Sequence, residues 1–150
     1  MIDRKWEGCR TKPFSFSISR ELIQEYANVI YDNHPIYHDV EAARAKGYPD
    51  LVAPATLPII CWQHASIPWL EHAVGLVHRE QVFTYQEPLY AGQQFICEIH
   101  LKKIEEKQHA GKRIQFLKHE LIGFLADRTN SSKPVFTCSS VLILQEEGMR

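Results

Sequence analysis

Several things are scarce or missing from this sequence, and each absence narrows what the chain can do. No apolar run approaches the roughly 18 residues that a membrane span requires, so no membrane association is expected. The opening residues, Met1-Ile2-Asp3-Arg4-Lys5-Trp6-Glu7, lack the apolar core of a signal peptide, and a cytoplasmic location is expected. Neither sign of charge dominates: 17 Lys and Arg stand against 18 Asp and Glu, for a net charge of -1. The basic residues are dispersed, so no nucleic-acid partner is expected. Cys9, Cys61, Cys97 and Cys138 are scattered, with no Cys-x-x-Cys pair, and read as reduced, mostly buried thiols. Among the eight histidines no pair stands at metal spacing with a third ligand, so neither a metal nor a cofactor is expected.

What remains is an ordinary globular composition, 45% hydrophobic and 23% charged, over 150 residues. That length suits one domain spanning 1–150. Phe14, Phe16 and Ile18 alternate with serines, which predicts a half-buried strand. Ser19 suits the cap of a helix running to about Tyr31, with Leu22, Ile23, Tyr26, Ala27 and Ile30 at helical spacing. Asp39 suits the cap of a short helix over 40–46, closed by Gly47. Pro54 suits the start of an almost wholly apolar helix extending to Ser66, which predicts burial. Strands are expected over 76–86, from Phe95 to Leu101, over 114–126 and over 135–144. Residues 105–112 read as a polar turn, Gly123 as a bulge, and 127–133 as a Ser/Asn-rich loop. One antiparallel sheet wrapped around one buried α-helix satisfies this order. That is an α+β, hot-dog arrangement, and its second sheet face calls for a partner.

Two stretches draw the chemistry together. Tyr31-Asp32-Asn33-His34-Pro35-Ile36-Tyr37-His38-Asp39 is a loop dense in ionisable groups. Val52-Ala53-Pro54-Ala55-Thr56 leads into the apolar helix, whose first turn offers backbone N–H donors. Taken alone, Asp32 reads more readily as a residue capping loop N–H groups than as a reacting group.

Asp32-Asn33-His34-Pro35-Ile36-Tyr37, Ala42-Ala43, Leu51-Val52-Ala53-Pro54-Ala55-Thr56-Leu57, and the later His78-Arg79-Glu80-Gln81-Val82-Phe83-Thr84-Tyr85 with Pro88-Leu89 and Ala91-Gly92, resemble the MaoC-like (R)-specific enoyl hydratase and dehydratase family. The branch they resemble is the N-terminal, type I fatty-acid-synthase-like dehydratase domain. That family's motif reads Asp-x-Asn-Pro-x-His, and its Asp/His dyad activates one water for addition across an enoyl thioester, or removes it. One group takes a proton from water and one delivers a proton to the α-carbon. A backbone N–H at the start of the buried helix, here nearest Ala55 or Thr56, polarises the thioester.

The resemblance places Asp32 at the catalytic aspartate and puts Tyr37 where the family has histidine. His34 replaces the asparagine. A phenol with a pKa of about 10 is a poor proton shuttle near neutrality. In two-subunit members of the family one hot dog carries the dyad, and the other, often with tyrosine here, shapes the acyl channel. The expectation is therefore a hot-dog subunit of a (3R)-hydroxyacyl-thioester dehydratase or trans-2-enoyl-thioester hydratase of fatty-acyl metabolism. Its ligand would be an acyl-CoA or acyl-carrier-protein thioester, bound by Asp32, Tyr37 and the segment Val52, Ala53, Pro54, Ala55, Thr56. Its partner would be a second copy, or a different hot-dog chain with the intact dyad. Two alternatives are a non-catalytic acyl-thioester binding or regulatory module, and a self-sufficient homodimeric hydratase using Asp32 with His34 or His38.

Overall fold

Period-two alternation becomes five strands: β1 (Phe14–Ser17), β2 (Val77–Tyr85), β3 (Gln94–His109), β4 (Lys112–Leu125) and β5 (Phe136–Gln145). The computed structural model describes residues 1–128 and 133–147. The strands form one sheet in the order β1-β3-β4-β5-β2, antiparallel at every pair. Two α-helices, α1 (Arg20–Val29) and α2 (Val40–Ala45), precede the long strands. Their caps are the ones their sequences suggest. Ser19 Oγ accepts from the Leu22 N–H at 3.0 Å, and Asp39 Oδ1 accepts from the Glu41 N–H at 3.0 Å. The helix α1 stops short of Tyr31, which takes a left-handed φ of 58° and turns the chain into the polar loop.

The central element departs from expectation. It lies where the apolar run places it, but Leu57–His64 is a 3-10 helix rather than an α-helix. Its bonds run to the third residue back, from the Leu57 N–H to Pro54 O at 3.0 Å and from the Ile59 N–H to Thr56 O at 3.1 Å. Pro58 has no N–H to donate to Pro54, so the first α-helical bond cannot form there. Leu57, Pro58 and Cys61 are buried against the sheet, whereas Ile59, Ile60 and Trp62 are only half-buried and Gln63 and His64 are exposed. The core joins Leu57 and Cys61 to Phe95, Cys97, Ile99 and Leu101 of β3, Leu117 and Leu121 of β4, and Phe136 and Cys138 of β5. The three buried cysteines are free thiols. Burial pushes Cys138 up to about 12, and a hydrogen bond with Cys97, together with burial, raises Cys61.

Two further expectations are corrected. Residues 105–112 are not a turn: β3 continues through them to His109, and the turn is only Ala110-Gly111. Both residues have positive φ, 52° and 77°, the geometry of a two-residue hairpin matching strand twist. Continuous pairing with β4 keeps this polar stretch extended. Gly123 is not a bulge. It sits in regular register between Cys97 and Phe136, and the Phe136 ring lies where its Cβ would be. The register shifts fall instead between Leu101 and Lys103 and between His78 and Glu80. The loop expected at 127–133 falls partly outside the described residues; within it, Ala126–Arg128 forms a 3-10 turn. Among the described residues no helix is long and apolar enough to cross a membrane.

The N-terminal arm is fixed at both ends of its path. The Gln115 side chain bonds both the N–H and the C=O of Ile2, and Trp6 lies 6.0 Å from Trp69. Trp69 also donates from Nε1 to Nε2 of buried His119 at 2.9 Å. This bond requires an unprotonated Nε2, and burial lowers the His119 pKa to about 4, partly opposed by the Leu117 carbonyl. Between that value and about 6.5 the unfolded chain binds more protons than the folded one, so stability rises with pH across this window and is lost as pH drops through it. We expect about 3 kcal/mol to be lost as pH drops from about 6.5 to about 4. Urea unfolding at several pH values checks this, and His119→Gln, which can still accept from Trp69, flattens the acid limb.

Candidate active site

The polar loop and the segment before the central helix are joined by one backbone bond, from the Val52 N–H to Ile36 O at 3.1 Å. The segment is held against residues 89–91, with the Ala53 N–H donating to Leu89 O at 2.8 Å and the Ala91 N–H donating to Leu51 O at 3.0 Å. Val52, Ala53 and Pro54 are thereby buried, and Ala55 and Thr56 face solvent. These two N–H groups bond no described residue. The Tyr85 hydroxyl donates to Ala55 O, and the Tyr26 hydroxyl pairs with Thr56 Oγ1 at 2.7 Å. In a trans peptide the carbonyl and the following N–H point oppositely. Anchoring Ala55 O on Tyr85 therefore aims the Thr56 N–H away from the core. Burial raises the Tyr85 pKa, which keeps its hydroxyl protonated as a donor.

Within the loop, a 3-10 turn at Pro35–Tyr37 brings Asp32, His34 and Tyr37 together. Asp32 Oδ1 accepts from the His34 N–H at 3.0 Å, so the carboxylate does brace the loop. The Tyr37 phenol is shifted up, first by burial, then by the negative charge of Asp32, then by Tyr48. At neutral pH the phenol stays protonated. Each neighbouring histidine holds a backbone group through one ring nitrogen. His34 Nδ1 accepts from the Ile36 N–H at 3.3 Å, and its ring tilts against Tyr37 at 5.9 Å. His38 Nε2 lies 2.9 Å from the carbonyl of Asp32, not its carboxylate, and the Gln24 amide holds the His38 carbonyl at 3.1 Å. A cavity of about 1040 Å3 lies elsewhere, between the N-terminal arm and the end of β5, and none of Asp32, His34 and Tyr37 lines it.

Tyr85 and Tyr26, which the sequence alone does not single out, hold the start of the central helix in place. Tyr85 ends the strand motif already associated with the family, and that was the available signal.

A five-stranded antiparallel sheet wrapped on one central helical element defines a hot-dog fold of the α+β class. The chain belongs to the FAS1-like dehydratase domain region family, whose model matches residues 5–122. It is 32% identical over 149 residues to a UPF0336 protein of Saccharopolyspora erythraea, covering 95% of this chain and 90% of that one. In structure it is similar to the HadBC (3R-hydroxyacyl-ACP dehydratase) complex of Mycobacterium tuberculosis, with a TM-score of 0.77 and 25% identity over 92% of this chain and 96% of that one. It shares its fold with the ChsH1–ChsH2 complex of the same organism, at a TM-score of 0.69 and 21% identity over 90% and 88% of the two chains.

Proposed function

We propose that this chain is the channel-forming subunit of a (3R)-hydroxyacyl-thioester dehydratase or trans-2-enoyl-thioester hydratase, paired with a different hot-dog chain that brings the Asp/His dyad. The observation that carries this reading is Tyr37. The family's motif would have the dyad histidine at this position, and the surroundings of Tyr37 raise its pKa further from neutrality. His34 and His38 are tied into backbone bonds. The chain retains an aimed Thr56 N–H able to polarise a thioester carbonyl, but has no histidine at the motif position to cycle a proton to and from water.

The face left open supports a partner. The strand β2 is a sheet edge, with unpaired backbone groups along one side and Val77 and Val82 exposed at 58% and 49%. Ile59 and Ile60 are half-exposed on the central helix. The HadBC and ChsH1–ChsH2 structures are both complexes. In the assembled enzyme the partner's dyad would activate water, its oxygen bonding to C3 of the enoyl thioester while the α-carbon gains a proton. This chain would supply Asp32, Tyr37 and the Val52, Ala53, Pro54, Ala55 and Thr56 segment as walls and carbonyl donor. The substrate would be an acyl thioester of CoA or of acyl carrier protein. Mixing the purified chain with a hot-dog subunit that has Asp-x-Asn-Pro-x-His tests this. We expect a one-to-one complex by size-exclusion chromatography, with enoyl-CoA hydration exceeding that of either chain by about 100-fold, the low end for acid–base catalysis. No association, or no gain in turnover on association, would overturn the assignment.

A further inference from the structure

A row of polar side chains crosses the inner face of the sheet. Strand register sets His119 of β4 opposite Ser140 of β5, and Ser140 opposite Gln81 of β2. Trp62 of the central helix covers the row, edge-on to His119 at 5.2 Å. His119 is satisfied by Trp69. The others are not. Ser140 Oγ, both polar atoms of the Gln81 amide and Trp62 Nε1 are buried without a hydrogen-bond partner among the described residues. Ser140 is only 3% exposed. Buried polar groups are almost always paired, so four such atoms around one space call for a ligand.

That space is a cavity of about 160 Å3, lined by Ile59, Trp62, His78, Gln81, Ser140 and Leu142. It is roughly tenfold larger than one water needs. The register shift between His78 and Glu80 is what assembles it. In a regular strand, residues three apart face opposite sides, and the shift brings His78 and Gln81 to the same side. The groups on offer are one indole donor, one amide with both donor and acceptor, and one hydroxyl with both. No Lys, Arg, Asp or Glu is present, and His78 Nε2 is engaged by the Glu80 carbonyl at 3.1 Å. This set matches a neutral oxygen function, a hydroxyl or a ketone, and not a carboxylate or an ammonium. The cavity also lies beyond the thioester position. At about 2 Å per residue of 3-10 helix, Trp62 is about 12 Å along the axis from Thr56.

We propose that this cavity is a specificity subsite for a neutral oxygen-bearing group on the acyl chain, far from the thioester carbon. The source of that group rests on the function proposed above; the polarity of the site does not. Two measurements separate these parts. In the first, the indole N–H resonance of Trp62, assigned by its loss in Trp62→Phe, is followed while n-pentanol or n-chloropentane is added. Pentanol is expected to bind about tenfold more tightly, the value of one neutral hydrogen bond, and the preference is expected to shrink below about twofold in Ser140→Ala/Gln81→Leu. Ser140→Ala alone adds no bulk and serves if the double variant fails to fold. Equal binding of the two probes, or a preference that survives the substitutions, overturns the subsite. In the second, medium-chain acyl-CoAs with and without a terminal hydroxyl are compared on the chain in one-to-one complex with a dyad-bearing hot-dog subunit. A preference of about tenfold for the hydroxylated chain at the matching length supports the proposal. Equal binding of both overturns the subsite and leaves the thioester function standing. Binding of neither, beside an intact pentanol preference, overturns the acyl source and the proposed function with it.

Discussion

Tyr37→His is expected to give the isolated chain enoyl-thioester hydratase activity at least about 100-fold above its own background, the low end of what acid–base catalysis contributes. The rest of the constellation is present: Asp32 lies close enough for its charge to act on the Tyr37 phenol, and the Thr56 N–H is aimed outward by the bond between Tyr85 and Ala55 O. Imidazole replaces a phenol whose pKa burial and Asp32 have pushed upward with a base that titrates near pH 6.5. The pH profile is a second readout. Activity that depends on an unprotonated imidazole rises with pH through its pKa, and the additional change Asp32→Asn removes the gain. A folded Tyr37→His chain with no gain would count against the placement of Tyr37 at the reacting water.

Gly123→Ala is expected to cost about 4 kcal/mol, close to the loss of a buried phenylalanine. A Cβ at Gly123 would stand 2.2 Å from the tip of the Phe136 ring, and Phe136 is 1% exposed with Phe95 edge-on at 5.3 Å. Neither ring has room to retreat, so Phe136 must leave its place in the core. For a domain of this size the melting temperature should fall by about 8–16 °C. Calorimetry of Gly123→Ala, Phe136→Leu and the double variant checks the cause: the double variant should be less destabilised than the sum of the two single changes.

The strands were legible because each buries one face, which writes period two into Phe95, Cys97, Ile99 and Leu101. The caps at Ser19 and Asp39 were legible because their chemistry is local. The helix type at Leu57–His64 was not, since an apolar run reports burial and not hydrogen-bond pattern, and Pro58 tips the balance toward 3-10 geometry. The length of β3 was hidden by polar residues that only cross-strand pairing holds extended. Gly123 was misread because a glycine in a strand marks either a bulge or a close approach, and only the position of Phe136 decides. At the site, Asp32, His34 and Tyr37 were legible as a motif. The anchoring of Ala55 by Tyr85 depends on residues 30 positions apart meeting, and the row from His119 to Gln81 depends on a register shift. Neither leaves a local trace.

The most direct test of the central claim, that this chain lacks its own proton shuttle, is hydration of a short trans-2-enoyl-CoA by the purified chain alone, followed as loss of the conjugated thioester absorbance. The account predicts no turnover above background from a folded sample. Turnover that Asp32→Asn abolishes would contradict it, and would mean that His34 or His38 does what Tyr37 cannot.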